Sequence, residues 1–355
     1  MKKKLIKVNL LFLLSILLFT QTSVDAQQIT LNLPEVSQKA MIMQRIGLTD
    51  ITIAYSSPQV KGRKVWGEMV QYNQVWRAGA NANTTISFTH DVKIEGSPIA
   101  AGTYGLHMIP SEKEWIVIFS KNYTSWGSYF YKKEEDALRV NVKPVAGEFS
   151  EWLNYNFIDR SSSSVVAVLH WEKLKIPFKI DVDVPAVVLN NIRNELRGTA
   201  GIYSWQGYYQ AANYCIQNNI NHEEAEKWIE MSIRQEENFS NLRIKALFLE
   251  KKGNIRERDE IMKKAIAIAN ENILNNYGYQ LLAENKINEA INIFKFNVQK
   301  FPEGFNVYDS LGEAYGISGD KKSAITNYKL ALKKAPEDHK QRIESILKNL
   351  ENSSL

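Results

Sequence analysis

The 355-residue chain has a single cysteine, Cys215, so no internal disulfide forms and stability has to come from packing. Its surroundings, "AANYCIQ", read as a helix, where a lone thiol acts as a small buried apolar group rather than a nucleophile. The chain also lacks a GxSxG elbow, a P-loop and a GxGxxG following a strand, so the common hydrolase, nucleotide and dinucleotide signatures are missing. Five histidines (His90, His107, His170, His222, His339) occur without HxH or HExxH spacing, and neither a metal nor any other cofactor is expected. Of these, His90, His107 and His170 fall in the strand-rich half, where they have the option to converge. The carboxylate pairs Glu134/Glu135 and Asp181/Asp183 read as solvated loop or edge-strand charges. A strong charge of one sign is missing too. The formal net charge is +5, but Lys2, Lys3, Lys4 and Lys7 against Asp25 sit in the first 26 residues. Without that segment, 44 basic and 39 acidic residues become 40 and 38, a net charge of +2. Nucleic acid therefore loses its compositional support as a partner.

The first residues, "MKKKLIKVNLLFLLSILLFTQTSVDAQQ", have a basic start, an apolar run over Leu10–Phe19 and a small-x-small ending at Val24-Asp25-Ala26. That is the pattern of a secretory signal peptide over residues 1–26. The apolar run is shorter than the roughly 20 residues of a membrane span, and no transmembrane segment is expected after cleavage. No cysteine follows the run, which argues against a lipoprotein. The expectation is an exported protein, periplasmic or secreted.

Two halves with different periods follow. Residues 27–184 read as a β-sandwich domain. "ITIAYSSP" alternates Ile51, Ile53 and Tyr55 with Thr52 and Ala54, and "TTISFTHDVKIEG" alternates in the same way. "GTYGLHMIP" and "WIVIFS" are joined by "SEKE", a hairpin loop, and "SSSS" at 161–164 is a polar turn. Eight or nine short strands make an antiparallel sandwich, with a hairpin or bulge at Lys173–Lys175. Beyond Pro185 the period becomes helical, giving a helical linker and about four tetratricopeptide-like hairpins over residues 185–350. Gly278 and Gly312, Ala290 and Ala324, Phe294 and Tyr328, Pro302 and Pro336 are each 34 residues apart, the tetratricopeptide period. Small residues let two helices approach, the aromatic fills the gap beside them, and proline stops the second helix. A third unit is degenerate, with Arg258 where alanine is expected, and a fourth keeps Ala225. Such arrays bind a peptide or protein partner on their concave face, or brace a neighbouring domain.

The densest chemistry lies in "SPQVKGRKVWGEMVQYNQVWRAGANANTTISF", residues 57–88. Arg63 and Arg77 suit carboxylates, phosphates or aromatic faces. Trp66 and Trp76 offer an apolar platform, and Asn81 and Asn83 offer amides, together a pocket for a small anionic or sugar-like ligand. The alternative is architecture: tryptophans filling the core, and Arg77 buried against a carboxylate, with Glu68 and Asp91 available, or against turn carbonyls to pin an irregular loop. Downstream, Trp126 with Tyr129, Phe130 and Tyr131 reads either as a lid over the same site or as a hairpin packed on the core.

Three motifs in order, "SPQVKGRKVWGEMV", "VWRAGANANTTISF" and "AGTYGLHMIP", resemble the domain of unknown function 2911 family of exported bacterial proteins, over residues 35 to 180. The resemblance implies export and, for some members, helical repeats after the β domain; it implies no catalytic residues. The functional expectation is an exported, non-enzymatic binding or scaffold protein. Its β-sandwich takes a small molecule or glycan at Arg63, Trp66, Trp76, Arg77, Asn81, His107 and Trp126, and its repeat engages a protein or peptide. The alternatives are a hydrolase-like enzyme with a cleft around Arg77 and His107 or His170, and a purely structural assembly module.

Overall fold

A computed structural model describes residues 33–352; the signal-peptide expectation lies outside the described residues. The chain divides into two compact units between Asp183 and Val184.

The first unit holds ten strands among its described residues: β1 (Gln38–Ile46), β2 (Thr49–Ser57), β3 (Thr85–Phe88), β4 (Val92–Ile94), β5 (Ser97–Ile99), β6 (Gly102–Ile109), β7 (Trp115–Ser120), β8 (Asp136–Val142), β9 (Val145–Ile158) and β10 (Ser164–Asp181). They form a six-stranded sheet in the order β1-β2-β3-β6-β7-β8 and a four-stranded sheet in the order β5-β4-β10-β9. Every pairing is antiparallel. The period-2 alternation produces the packing: Ile51, Ile53 and Tyr55 of β2 are buried while Thr52 and Ala54 are not, and Ile51 and Ile53 register with Phe88 and Ile86 of β3. The two sheets meet through aromatic side chains. Tyr55 of β2 lies edge-on to Tyr155 of β9 at 4.9 Å, and Phe119 of β7 meets Phe178 of β10 at 6.1 Å. The β4–β5 hairpin turns on Glu95 and Gly96, both with positive φ, as a two-residue primed turn requires.

The antiparallel sandwich is borne out, with two corrections in detail. The strands number ten among the described residues, and β9 and β10 are 14 and 18 residues long rather than short. Of the two readings of Lys173–Lys175, hairpin or bulge, the bulge holds. β10 runs straight through it, and the register with β9 shifts on either side of Glu172, whose φ is +53°. One residue in the left-handed region absorbs the irregularity as a bulge. Asp181 is not an edge charge, because β10 lies between β4 and β9. It pairs in register with Lys93 and forms a 2.7 Å ion pair with Lys179.

The second unit is helical: α1 (Val184–Leu196), α2 (Thr199–Ile202), α3 (Trp205–Asn218), α4 (His222–Gln235), α5 (Phe239–Lys251), α6 (Ile255–Ile268), α7 (Glu271–Ala283), α8 (Ile287–Lys300), α9 (Phe305–Ser318), α10 (Lys321–Lys334) and α11 (Glu337–Asn352). Helices α3/α4, α5/α6, α7/α8 and α9/α10 pack as four consecutive hairpins. Side-chain caps start several of them: Ser204, Asn238, Asn270 and Asp320 each accept a backbone N–H of the first turn. The small residues of the 34-residue period sit at the tightest contacts, with Ala290 and Ala324 fully buried. Where alanine is replaced, Arg258 of α6 reaches Glu250 of α5 at 3.7 Å. Helix α11 closes the last hairpin with Ile343 and Leu347 on Tyr328 and Ala331, and Arg342 pairs with Asp309 at 2.7 Å. Cys215 is fully buried, and desolvation pushes its thiol up to about 11, so it behaves as an apolar group at neutral pH. No described helix is long and apolar enough to cross a membrane.

The two repeat glycines differ in the space beside them. A Cβ on Gly278 would sit 2.5 Å from the buried Phe294 ring, whereas one on Gly312 would sit 3.1 Å from Tyr328. Alanine gains about 1 kcal/mol of helix propensity, but overpacking costs about 1–3 kcal/mol. Gly278→Ala should therefore destabilise the repeat by about 1–2 kcal/mol, while Gly312→Ala should be close to neutral, as read by urea unfolding followed by circular dichroism.

Candidate functional site

The connection from β2 to β3, residues 58–84, has no helix or ladder strand of its own, so its backbone groups are satisfied by the strands it crosses. On one side it joins β9: Val60 N donates to Glu151 O at 2.8 Å, and Leu153 N donates to Pro58 O at 3.0 Å. On the other it joins β6, where Trp76 and Met108 exchange two N–H···O bonds at 2.8 Å. Six of its residues take positive φ: Lys61, Gly62, Gly67, Asn73, Ala78 and Asn81. At Ala78 that conformation is unusual for a residue with a Cβ. It is held because the Ala78 carbonyl accepts from the Tyr155 hydroxyl at 2.8 Å and from Thr84 Oγ1 at 3.2 Å.

Four indoles anchor the connection. Trp66 lies edge-on to Trp115 of β7 (5.0 Å), Trp171 of β10 (5.7 Å) and Trp76 (5.8 Å). Trp66, Trp115 and Trp171 are buried, whereas Trp76 is half-buried and stacks on Trp171 at 6.0 Å. Most residues between Trp66 and Trp76 face outward, the buried Val70 excepted. A cleft of about 390 Å³ is lined by Lys61, Arg63, Trp76, Arg77, Asn81 and Trp171 among others, and no acidic side chain among the described residues lines it. Arg63 is aimed by its own backbone: Nε donates to Val60 O at 2.9 Å, and Nη2 donates to Gln59 O. Asn81 is partly engaged, its Nδ2 donating to Glu35 Oε2 at 2.8 Å. The Trp171 indole N–H is buried and without a partner among the described residues.

Arg77 has neither of the expected carboxylate partners. Glu68 pairs with Lys64 at 3.1 Å, and Asp91 accepts from Ala101 N at 2.8 Å. The Arg77 guanidinium instead lies over the Trp126 ring, 5.3 Å from its centroid. Trp126 and Tyr129 stack within 4° of parallel and are 56% and 80% exposed. The 122–131 loop is thus an exposed aromatic shelf rather than a hairpin packed on the core. Asn83 is buried beneath it, its amide among the carbonyls of Asn122 and Gly127.

The structure brings Arg63, Trp76, Arg77 and Asn81 to one cleft, with Trp126 against Arg77, while Trp66 is core. His107 is not among the cleft residues. It is 2% exposed, its Nδ1 lies 3.3 Å from Ser128 Oγ, and its ring packs on Tyr131. Burial pulls its pKa down to about 4 despite the nearby charge of Asp136. That carboxylate is held by the Tyr131 hydroxyl at 2.7 Å and by Arg139 Nε at 2.5 Å. The three histidines of the β unit do not converge. His90 bonds Thr49 and Thr89, and His170 bonds the Glu148 carbonyl at 2.8 Å. Among the described residues no group of three or more His, Cys, Asp or Glu is placed to hold a metal. Sequence reasoning passed over Lys61, visible as a third cation beside Arg63, and Trp171, which lies far along the chain and gives no local signal.

Residues 37–180 match the family described as "Protein of unknown function (DUF2911)". No curated protein matches the chain. Similar solved structures include Pseudomonas aeruginosa pilF (19% identity, covering 42% of this chain and 68% of that one, TM-score 0.27). Another is MamA from Desulfovibrio magneticus RS-1 (16% identity, 44% and 97% covered, TM-score 0.25). A third is YrrB, described as a TPR protein with an unusual peptide-binding site (17% identity, 42% and 81% covered, TM-score 0.25). Superpositions this loose carry nothing beyond the likeness itself.

Two predictions follow from the geometry. Stranding a buried partner charge costs about 3–5 kcal/mol, but neither Arg63 nor Arg77 has a carboxylate partner among the described residues. Arg63→Ala and Arg77→Ala should each cost about 1 kcal/mol or less in thermal unfolding; a loss of several kcal/mol would mean a buried ion pair after all. For His107, the folded pKa of about 4 lies below the ordinary 6.5, so the neutral form is favoured by folding. Its contribution is full above pH 6.5 and is lost as pH falls towards 4, at about 1.4 kcal/mol per pH unit. Replacing His107 by Gln should flatten that part of the stability profile, measured by urea unfolding at pH 7 and pH 4.5.

Proposed function

We propose that this is an exported, non-enzymatic binding protein whose β-sandwich takes a small anionic ligand at Lys61, Arg63 and Arg77, and whose helical repeat engages a protein partner. One observation carries the ligand half: three cations and the half-buried Trp76 line a cleft of about 390 Å³ with no acid among its lining residues. Guanidinium and ammonium donors supply charge, and the indole supplies an apolar wall, the combination that a compact anion with a flat or apolar face requires. The basic, apolar and small-x-small pattern of the first 26 residues supports export to the periplasm or beyond. The four helical hairpins support a scaffold role for the second unit.

The hydrolase alternative has its own observation, the 3.3 Å approach of Ser128 Oγ to His107 Nδ1. A base in that role has to hold the serine proton as imidazolium. Burial keeps His107 neutral down to about pH 4, and the nearest acid, Asp136, already serves Tyr131 and Arg139. Binding therefore fits the geometry better than acyl transfer.

The test is a titration of residues 27–355 with glucuronate and benzoate, against glucose and benzamide, followed by tryptophan emission. At least one anion should give a saturable change that weakens as salt rises, with its neutral counterpart about tenfold weaker or more. No saturable response to either anion would sink the proposal.

A further inference from the structure

The cationic cleft does not end at Trp76. A second cleft of about 380 Å³ shares Met69, Val70, Trp76 and Arg77 with it, so the two clefts adjoin at Trp76 and Arg77 and together make the proposed trough. Their linings differ. The first presents Lys61 and Arg63. The second presents the uncharged Gln71, Gln74, Ser128 and Tyr129, whose amides and hydroxyls both donate and accept. Arg77 belongs to both.

The aromatic shelf stands beside the second cleft. Tyr129 lines that cleft and stacks on Trp126, and both rings are largely exposed. Two stacked, water-facing aromatic rings add no core burial, which marks them as a contact surface. Their position is set by Gly127, whose φ is +69°; a Cβ there would stand 2.6 Å from Arg77 Nη1 and 3.2 Å from the Tyr129 ring. The absent side chain is what lets the guanidinium and the shelf share one edge of the trough.

We infer that the trough binds an acidic oligosaccharide, with a uronate carboxylate at Lys61, Arg63 and Arg77 and an adjoining neutral sugar over Tyr129 in the second cleft. This rests on the anion-binding proposal above and extends it. Charge complementarity fixes the acidic end. The neutral, two-way hydrogen-bonding lining suits sugar hydroxyls, and the flat shelf suits the C–H face of a pyranose ring. An acidic peptide shares the charge but leaves the Tyr129 shelf and the neutral amides and hydroxyls beside Arg77 unused.

Calorimetry on residues 27–355 tests this with four probes: glucuronate, a hyaluronan tetrasaccharide (alternating uronate and neutral sugar), the neutral chitotetraose, and hexaglutamate. The tetrasaccharide should bind at least about tenfold tighter than glucuronate, and chitotetraose at least about tenfold weaker than the tetrasaccharide. Tyr129→Ala, at an exposed position where folding is not at stake, should erase the advantage of the tetrasaccharide and leave glucuronate unchanged. Arg63→Ala should weaken both. Equal affinities for glucuronate and the tetrasaccharide, or a tetrasaccharide advantage that survives Tyr129→Ala, would overturn the two-subsite inference while the anion site stands. Tighter binding of hexaglutamate than of the tetrasaccharide would reassign the trough to acidic peptides. No binding of any anionic probe would remove the anion-binding proposal and this inference together.

Discussion

The β unit depends on one side chain, Trp66. Its ring touches Trp115 of the six-stranded sheet, Trp171 of the four-stranded sheet and Trp76 of the same connection, so a single residue ties both layers and a 27-residue irregular segment together. The cost is visible: the indole N–H groups of Trp66 and Trp171 are buried without partners among the described residues. An unmet donor costs about 1–3 kcal/mol. Burying 150–250 Å² of indole at about 25 cal/mol/Å² returns about 4–6 kcal/mol, and each edge-on ring pair adds about 0.5–1.5 kcal/mol. Burial wins, and the cluster holds despite the orphaned donors.

With Trp66 fixed, the rest of the connection has little freedom. The exchanged bonds between Trp76 and Met108 place Trp76 against β6, and the bonds from Tyr155 and Thr84 lock Ala78 in the left-handed region. Arg77 lies between those two restraints, which turns its side chain to Trp126 and the cleft. Architecture and the proposed ligand site are therefore not competing accounts of residues 57–88. Trp66 and Ala78 belong to the frame, and Arg63, Trp76 and Arg77 are what the frame presents.

Much of this was legible in the sequence, and the limits have physical causes. Alternation at Ile51, Ile53, Ile86 and Phe88 marks strands because burial on one face is a local, period-2 property. The 34-residue recurrence of Gly278 and Gly312 marks hairpins because close helix approach demands a small residue at a fixed place. The course of β10 was legible only as a choice between hairpin and bulge, since a single left-handed residue at Glu172 bridges what looks like a break. Nor was the fate of His107, because burial is decided by what other strands and the 128–131 loop lay over it. Arg77 suited a carboxylate, a phosphate or an aromatic face, and the choice of the aromatic face is made by Gly127 and Trp126, some 50 residues away in the chain.

The charge pattern favours a ligand over a purely structural account of the cleft. Four cations of the β unit have ion-pair partners: Arg45 with Asp50, Lys64 with Glu68, Arg139 with Asp136, Lys179 with Asp181. At the cleft, acids do stand at the rim, but they serve other groups. Glu35 holds the Asn81 amide, and Glu151 accepts the Lys61 backbone N–H at 2.9 Å. Lys61, Arg63 and Arg77 are left facing one space with their charges unpaired by any acid that lines it. Three like charges around one cleft repel, and a fold selected for stability alone gains by placing an acid among them. The first 26 residues aside, the chain carries nearly as many acids as bases, so acids were not scarce. Leaving the cleft without them is a cost to the folded protein, and the anion proposed to bind there would offset it.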